Sequence, residues 1–203
     1  MNKKPKWVIF DVGQVLYDYT SFELEVSKYL NIDYSILKIE MNEIVENSMT
    51  GELTFEQVWI GVLSKIKREN ELTKIIEFFW DPKKFSKDTK LLLKQLHKKG
   101  YSIALFTNNW PNMREWMIKN LDEKNMMIKH IFESAKEHLR KPDEKFYKLV
   151  EERIAARADE IYFIDDLEIN IVTGQRMNWQ TFHYSFGNDG GRASNERIRK
   201  ELL

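Results

Sequence analysis

The sequence predicts an α/β fold built on a parallel sheet. Three short runs are apolar on both faces and stop abruptly at polar side chains. Trp7-Val8-Ile9-Phe10 ends at Asp11, Tyr101-Ser102-Ile103-Ala104-Leu105-Phe106 ends at Thr107-Asn108-Asn109, and Ile161-Tyr162-Phe163-Ile164 ends at Asp165-Asp166. Runs of this kind read as buried parallel strands. Ligands of open parallel sheets bind outside the carboxyl ends of the strands, so these polar residues point toward one crevice. A second observation is the spacing. About 70 residues with helical periodicity and no strand signal separate the first run from the helix before Tyr101.

The remaining elements follow in order. Residues 21–30 carry Phe22, Val26, Tyr29 and Leu30 at helical spacing, and 36–49 and 54–66 continue the pattern. Thr54 stands in a good N-cap place ahead of Phe55, Val58, Trp59 and Val62. Asp81-Pro82 and Lys83-Lys84 are hinge material. Residues 87–99 read as a helix closed by Gly100, a residue that accepts the left-handed conformation common at helix ends. Helices over 143–157 and 168–178, a last strand over 180–184, a flexible turn over 187–191 and a terminal helix over 194–203 complete the chain. Trp59, Phe78, Phe79 and Trp80 lie on helical faces, where packing is the expected role. Trp110 follows Asn109 at the crevice rim, where packing and substrate contact are both open. His97 and His183 are expected to be surface or packed residues.

Composition narrows the class. A chain of 203 residues, 42% hydrophobic, buries one good core and a small appendage. The absence of cysteine excludes disulfides and thiol chemistry. Lys+Arg and Asp+Glu both number 32, which argues against a nucleic-acid or anionic-membrane surface. The apolar run after Lys3, Lys4 and Lys6 stops at Asp11, too soon for a signal peptide, and no segment is long enough to span a membrane. A cytoplasmic enzyme, monomer or homodimer, is the expectation. No G-x-S-x-G, H-E-x-x-H, P-loop or dinucleotide fingerprint is present.

The strand-end residues suit phosphoryl transfer, which needs positioning and charge neutralisation around an in-line displacement. Asp11 is the natural nucleophile, since a carboxylate divides monoester hydrolysis into an aspartyl-phosphate step and a water step. Thr107 and Asn108 offer a hydroxyl and amide donors for the transferring oxygens, and Lys141, in Arg140-Lys141-Pro142-Asp143, offers a fixed positive charge. Each has a plainer reading as a turn former, surface charge or helix cap. Asp11, Asp165 and Asp166 gathered at neighbouring strand ends repel, on the order of 4 kcal/mol per pair at ~4 Å and an effective dielectric near 20. A hard divalent cation resolves this, and oxygen-only ligands favour Mg²⁺.

The ordered set Phe10-Asp11-Val12-Gly13-Gln14-Val15-Leu16, Thr107-Asn108-Asn109-Trp110, Lys141-Pro142-Asp143 and Phe163-Ile164-Asp165-Asp166 resembles the haloacid dehalogenase superfamily, and the likeness runs over most of the chain. Within it the same residues look like the branch that holds bacterial α-glucose-1-phosphatase-like enzymes and the amino-terminal phosphatase domain of soluble epoxide hydrolase. The resemblance implies a three-layer Rossmann-like core (residues 1–16 and 85–203) with an inserted small helical cap (residues 17–84). It implies catalysis by Asp11, Thr107 and Lys141, with Thr107, Asn108, Asn109, Lys141 and Trp110 at the substrate. Mg²⁺ is expected at Asp11, the Gly13 carbonyl and Asp166, with Asp165 in the same acidic set and Asn170 supporting it. The implied partner is a small phosphorylated metabolite, with sugar phosphates among the candidates.

One departure stands out. Most phosphatases of the superfamily carry a second Asp two residues after the nucleophile as general acid and base, and here that position is Gly13. General acid–base catalysis contributes about 10²–10⁴-fold. Three readings follow: selectivity for leaving groups that depart easily, a substitute proton carrier with Asp18 and Asp165 as candidates or a metal-bound water, or a silent phosphometabolite-binding protein. Metal-free 2-haloacid dehalogenases also lack that Asp, but Asp165-Asp166 would then be an uncompensated charge cluster. His138 stands where relatives often have glycine, as a positive-φ loop residue or a catalytic one.

Overall fold

The computed structural model describes residues 4–46, 48–121 and 127–203. Strand β1 (Trp7–Phe10) is followed by four helices, α1 (Tyr19–Leu30), α2 (Tyr34–Glu46), α3 (Phe55–Lys65) and α4 (Leu72–Phe79). Then come α5 (Lys87–Lys98), β2 (Ser102–Thr107), α6 (Met113–Leu121), β3 (Ile128–Glu133), the short α7 (Ser134–Glu137) and α8 (Glu144–Ile154). The chain ends with β4 (Ile161–Asp165), α9 (Glu168–Arg176), β5 (Gln180–His183) and α10 (Arg192–Leu202). The five strands form one parallel sheet in the order β3-β2-β1-β4-β5. Chain order reverses between β1 and β4, which makes their carboxyl ends the switch point where such sheets bind ligands.

Period-two alternation along the strands builds two layers of core. Val8, Phe10, Ile103, Leu105, Tyr162 and Ile164 face one side, against Leu92, Leu93 and Leu96 of α5 and Ile198 and Leu202 of α10. Ile9, Ala104, Phe106 and Phe163 face the other, against Phe146, Tyr147 and Val150 of α8 and Ile171 of α9. The first layer runs on without a break into Phe22, Val26, Leu37, Phe55, Trp59 and Phe79 of the helices after β1.

Local chemistry agrees with the expected helix starts and stops. Thr54 caps α3 by accepting from the Gln57 N–H, while the Gln57 side chain accepts from the Thr54 N–H. Gly100 follows α5 at φ +97°, a conformation that side chains disfavour. The chain leaves the sheet and returns to it side by side: Asp18 N–H donates to Lys84 O (2.9 Å) and Ser86 N–H to Leu16 O (2.8 Å).

The sequence does not announce β3, α6 or the short α7. Strand β3 is an edge strand whose Lys129 and His130 break the apolar run, so it lacks the two-sided pattern of its neighbours. His138 takes the left-handed conformation at the end of α7 (φ 54°), and its Nδ1 lies 2.9 Å from Thr50 O, which makes it a loop-forming residue.

Candidate active site

Register brings the acids together. Phe10 lies opposite Leu105 on one side and Ile164 on the other, so Asp11, one residue on, is level with Asp165. The Asp11 N–H extends the β1–β4 ladder by donating to Ile164 O (2.9 Å). Between the acids lies the ammonium of Lys141, supplied by the loop after α7. Its Nζ donates to Asp11 Oδ1 (2.8 Å), Asp165 Oδ2 (2.6 Å) and Phe106 O (2.8 Å). An ammonium has three N–H groups, and all three are engaged. Lys141 is buried at 2% exposure. Burial acts to lower its pKa, but Asp11 and then Asp165 outweigh this and hold it above the ordinary lysine value.

The polar residues that follow β2 place that lysine. Asn108 Nδ2 donates to Lys141 O (3.0 Å) while Lys141 N–H donates to Asn108 Oδ1 (2.9 Å), a two-point clamp on the lysine backbone. Asn109 ties β2 to the end of β3: its N–H donates to Ser134 Oγ (2.9 Å) and its Nδ2 to Glu133 Oε1 (3.1 Å). Of the expected substrate-facing amides, the Asn108 side chain and Asn109 Nδ2 are therefore committed to the scaffold, while Asn109 Oδ1 is buried without a partner. Thr107 is buried beside the acids, and its hydroxyl makes only a long contact of 3.4 Å with Asn108 O.

Asp165 is fully buried. Its oxygens accept from Lys141, the Leu167 N–H (2.9 Å) and Asn170 Nδ2 (3.0 and 3.1 Å). This saturates it as the lysine's partner, so it supports the acidic set from behind and Asn170 holds it there. Asp166 is only partly buried and faces the cavity. His183, expected to be incidental, sits with Nε2 2.9 Å from the Asp166 carbonyl oxygen at the end of β5.

Carboxylate oxygens of Asp11, Asp165 and Asp166 lie within 4.8 Å of one another. Removal from water pushes the Asp11 carboxyl up to about 6, against the pull of Lys141 and with a further push from Asp165. Removal from water, then Asp11 and Asp165, push Asp166 up to about 8. One lysine does not neutralise three acids. With Asp165 saturated, Asp11, Asp166 and the Gly13 backbone present an all-oxygen donor set suited to a hard cation.

Neither carboxylate considered as a substitute proton carrier is free for that task. Asp18 caps α1 by accepting from the Ser21 N–H (2.9 Å) and borders a separate cavity of about 670 Å³. Asp165 is saturated as described. At Gly13 there is room: an added Cβ would meet only Asp11 Oδ2, at 4.0 Å, and the backbone is outside the left-handed region.

Above the acids opens a cavity of about 340 Å³. Asp11, Gly13, Thr107, Asn108, Lys141, Asp166 and Asn170 form its polar end. Its walls include Tyr17, Tyr19, Phe79, Trp110, Met113, Trp116 and Met117. Trp110 therefore both packs and lines: it is buried, its Nε1 donates to Ser48 Oγ (2.9 Å), and its ring faces Phe55 at 5.3 Å between centroids. Phe79 also borders the cavity, whereas Trp59 is wholly core. Tyr17, Tyr19, Trp116 and the two methionines went unanticipated, because no motif marks a wall residue.

A family model described as haloacid dehalogenase-like hydrolase matches residues 8–183. The chain belongs to this family of hydrolases. It is similar to bifunctional epoxide hydrolase 2 of Rattus norvegicus, 25% identical over 151 residues, covering 67% of this chain and 27% of that protein. The chain thus spans about a quarter of that relative's length. Its fold is similar to a family enzyme of Bacteroides thetaiotaomicron solved with magnesium and inorganic phosphate (TM-score 0.70, 22% identity, 91% of this chain and 96% of that one). It is also similar to an L-2-haloacid dehalogenase (TM-score 0.75, 16% identity, 98% and 99%). Among the described residues, no helix is long and apolar enough to cross a membrane.

Replacing Lys141 by Met strands two buried carboxylates, which costs about 3–5 kcal/mol when a buried ion pair loses one partner. Chemical denaturation of Lys141→Met should show a loss of that order. Unchanged stability would mean that the lysine does not hold the strand ends together.

Proposed function

We propose that this hydrolase is a Mg²⁺-dependent phosphatase that cleaves a small phosphate monoester through an aspartyl-phosphate on Asp11. Residues 17–84 act as the cap over a core of 1–16 and 85–203. The observation that carries the reading is the floor of the cavity: a strand-end carboxylate held by a buried lysine, with a second carboxylate across from it and a threonine hydroxyl alongside. In the first step an Asp11 oxygen forms a bond to phosphorus as the ester P–O bond breaks, and the electron pair leaves on the ester oxygen. Water then attacks the phosphorus, releasing inorganic phosphate and restoring the carboxylate. Thr107 and the Asn108 backbone are placed to hold phosphoryl oxygens, and the fixed charge of Lys141 lies beside them. Asp11, Asp166 and the Gly13 carbonyl would hold Mg²⁺, which supplies charge neutralisation for the phosphoryl oxygens.

A metal-free dehalogenase shares the strand-end carboxylate, and such enzymes share the fold. That chemistry leaves Asp11 and Asp166 facing each other with a single lysine among three acids, which favours the cation-dependent reading.

Asp11→Asn keeps the shape and removes the nucleophile, so turnover of phosphate monoesters should fall to background while the fold persists. Substantial activity in that variant, measured by phosphate release, would rule Asp11 out.

Mg²⁺ affinity should depend on pH with a definite sign. Asp11 and Asp166 sit above the ordinary carboxylate value of 3.8 in the fold. Their contribution to stability is therefore present below that value and is lost as pH rises through about 6 and about 8. The cation needs both ionised, so it binds with proton release and more tightly at high pH. Calorimetric titrations should give clearly weaker Mg²⁺ binding at about pH 5.5 than at about pH 8. Equal affinity at both would contradict this ligand set.

Gly13 makes the leaving group decisive. With no acid at that position, aryl and anomeric sugar phosphates should be cleaved much faster than a primary alkyl phosphate such as glycerol phosphate. Gly13→Asp, which the backbone and surroundings accept, should raise the alkyl rate most, by up to the ~10²–10⁴-fold worth of a general acid. Equal wild-type rates on both classes would show that another residue already protonates the leaving group.

A further inference from the structure

We infer that the substrates are aryl phosphates, monoesters in which an aromatic ring bears the phosphorylated oxygen; this rests on the phosphatase reading above and narrows it. Two independent features of the site intersect on that class. The first is the proton supply. Gly13 has no side chain, Asp18 caps a helix beside another cavity, Asp165 is saturated by Lys141, Leu167 and Asn170, and Asp166 is taken up as a ligand of the cation in the phosphatase reading. The Tyr19 hydroxyl is held well above its ordinary pKa, by burial first and Glu23 second, and is a poor acid. An unassisted departure suits a phenol, with a pKa of about 10, far better than an alkyl alcohol near that of water at ~16.

The second feature is the wall. Beyond the reaction centre the cavity is bounded by Tyr19, Phe79, Trp110, Trp116, Met113 and Met117. Flat aromatic faces and thioethers fit a ring by edge-to-face, stacked and sulfur contacts. Of the polar groups at the same level, the Tyr19 hydroxyl and Trp116 Nε1 are buried without a partner, and those of Gln14, Thr20, Glu23 and Lys38 are turned to neighbouring side chains. The Gln14 amide contacts the Thr20 hydroxyl (2.7 Å). The Glu23 carboxylate accepts from Lys38 at both oxygens (2.7 and 2.8 Å) and from the Tyr34 hydroxyl (2.7 Å). A sugar would bury several hydroxyls against this wall with few partners for them, which is costly, whereas an aromatic ring asks for none. The volume of about 340 Å³ suits a phosphoryl group with one or two rings. In the step itself, the Asp11–phosphorus bond forms while the phosphorus–aryl oxygen bond breaks. The phenolate takes the electron pair and then a proton from water.

The test compares four substrates with the full chain and Mg²⁺: phenyl phosphate, benzyl phosphate, α-glucose 1-phosphate and glycerol 3-phosphate. The ring should lower KM for phenyl and benzyl phosphate by about tenfold relative to the two polar esters. Phenyl phosphate should exceed benzyl phosphate in kcat by about 10²-fold or more, since both fit the wall but only one leaves easily. As a readout free of turnover, phenylphosphonate should compete at about tenfold lower concentration than methylphosphonate. A kcat/KM for glucose 1-phosphate equal to that for phenyl phosphate would overturn the aryl assignment while leaving the phosphatase reading intact. Failure to turn over any of the four would overturn both.

Discussion

The structure depends on one buried ammonium. Lys141 Nζ, out of contact with water, bridges Asp11 after β1, Asp165 at the end of β4 and the Phe106 carbonyl of β2. An isolated ion so placed carries an effective penalty of several kcal/mol, and only complete satisfaction of its donors offsets it. The three bonds provide that, and each comes from a different strand end. The ammonium thus acts as a cross-link at the carboxyl edge of the sheet, where Asp11 lies one residue beyond Phe10 of β1. Asn108 holds the lysine's backbone at two points, and Asn170 and the Leu167 N–H hold Asp165. Disturbing any of these moves Asp11.

This constraint also explains the charge on the open side. Pairing consumes Asp165 and one oxygen of Asp11, which leaves Asp166 and the remaining Asp11 oxygen on the open side. Both carboxyls are pushed well above their ordinary value, to about 8 and about 6, by removal from water first, with Asp11 and Asp165 adding to the push on Asp166 and Asp165 to that on Asp11. A cation and a phosphoryl group are the partners that such a pocket would balance. In the proposed function, selectivity falls to what surrounds it: Gly13, with no side chain, and the aromatic wall.

Much of this could be read in the sequence, for a physical reason. Residues whose chemistry requires a strand end were marked by the abrupt change from apolar to polar at Phe10-Asp11, Phe106-Thr107 and Ile164-Asp165. Helix boundaries with capping chemistry, such as Thr54 and Gly100, were equally plain. Edge strand β3 was not, because one exposed side lets Lys129 and His130 interrupt its pattern. The division of labour among the amides was hidden too. Asn108 and Asn109 stand where donors to substrate are expected, but in the fold their side chains bind Lys141 and Glu133. Wall residues such as Tyr19 and Trp116 left no trace, since an aromatic side chain beside a cavity and one in a core look alike in one dimension.

The most direct test of the central claim is mass spectrometry of the enzyme acid-quenched during turnover of phenyl phosphate with Mg²⁺. The account predicts a single phosphoryl adduct on the peptide containing Asp11, removed by hydroxylamine and missing from Asp11→Asn. Turnover with an adduct on another residue, or with the same turnover in Asp11→Asn, would contradict it.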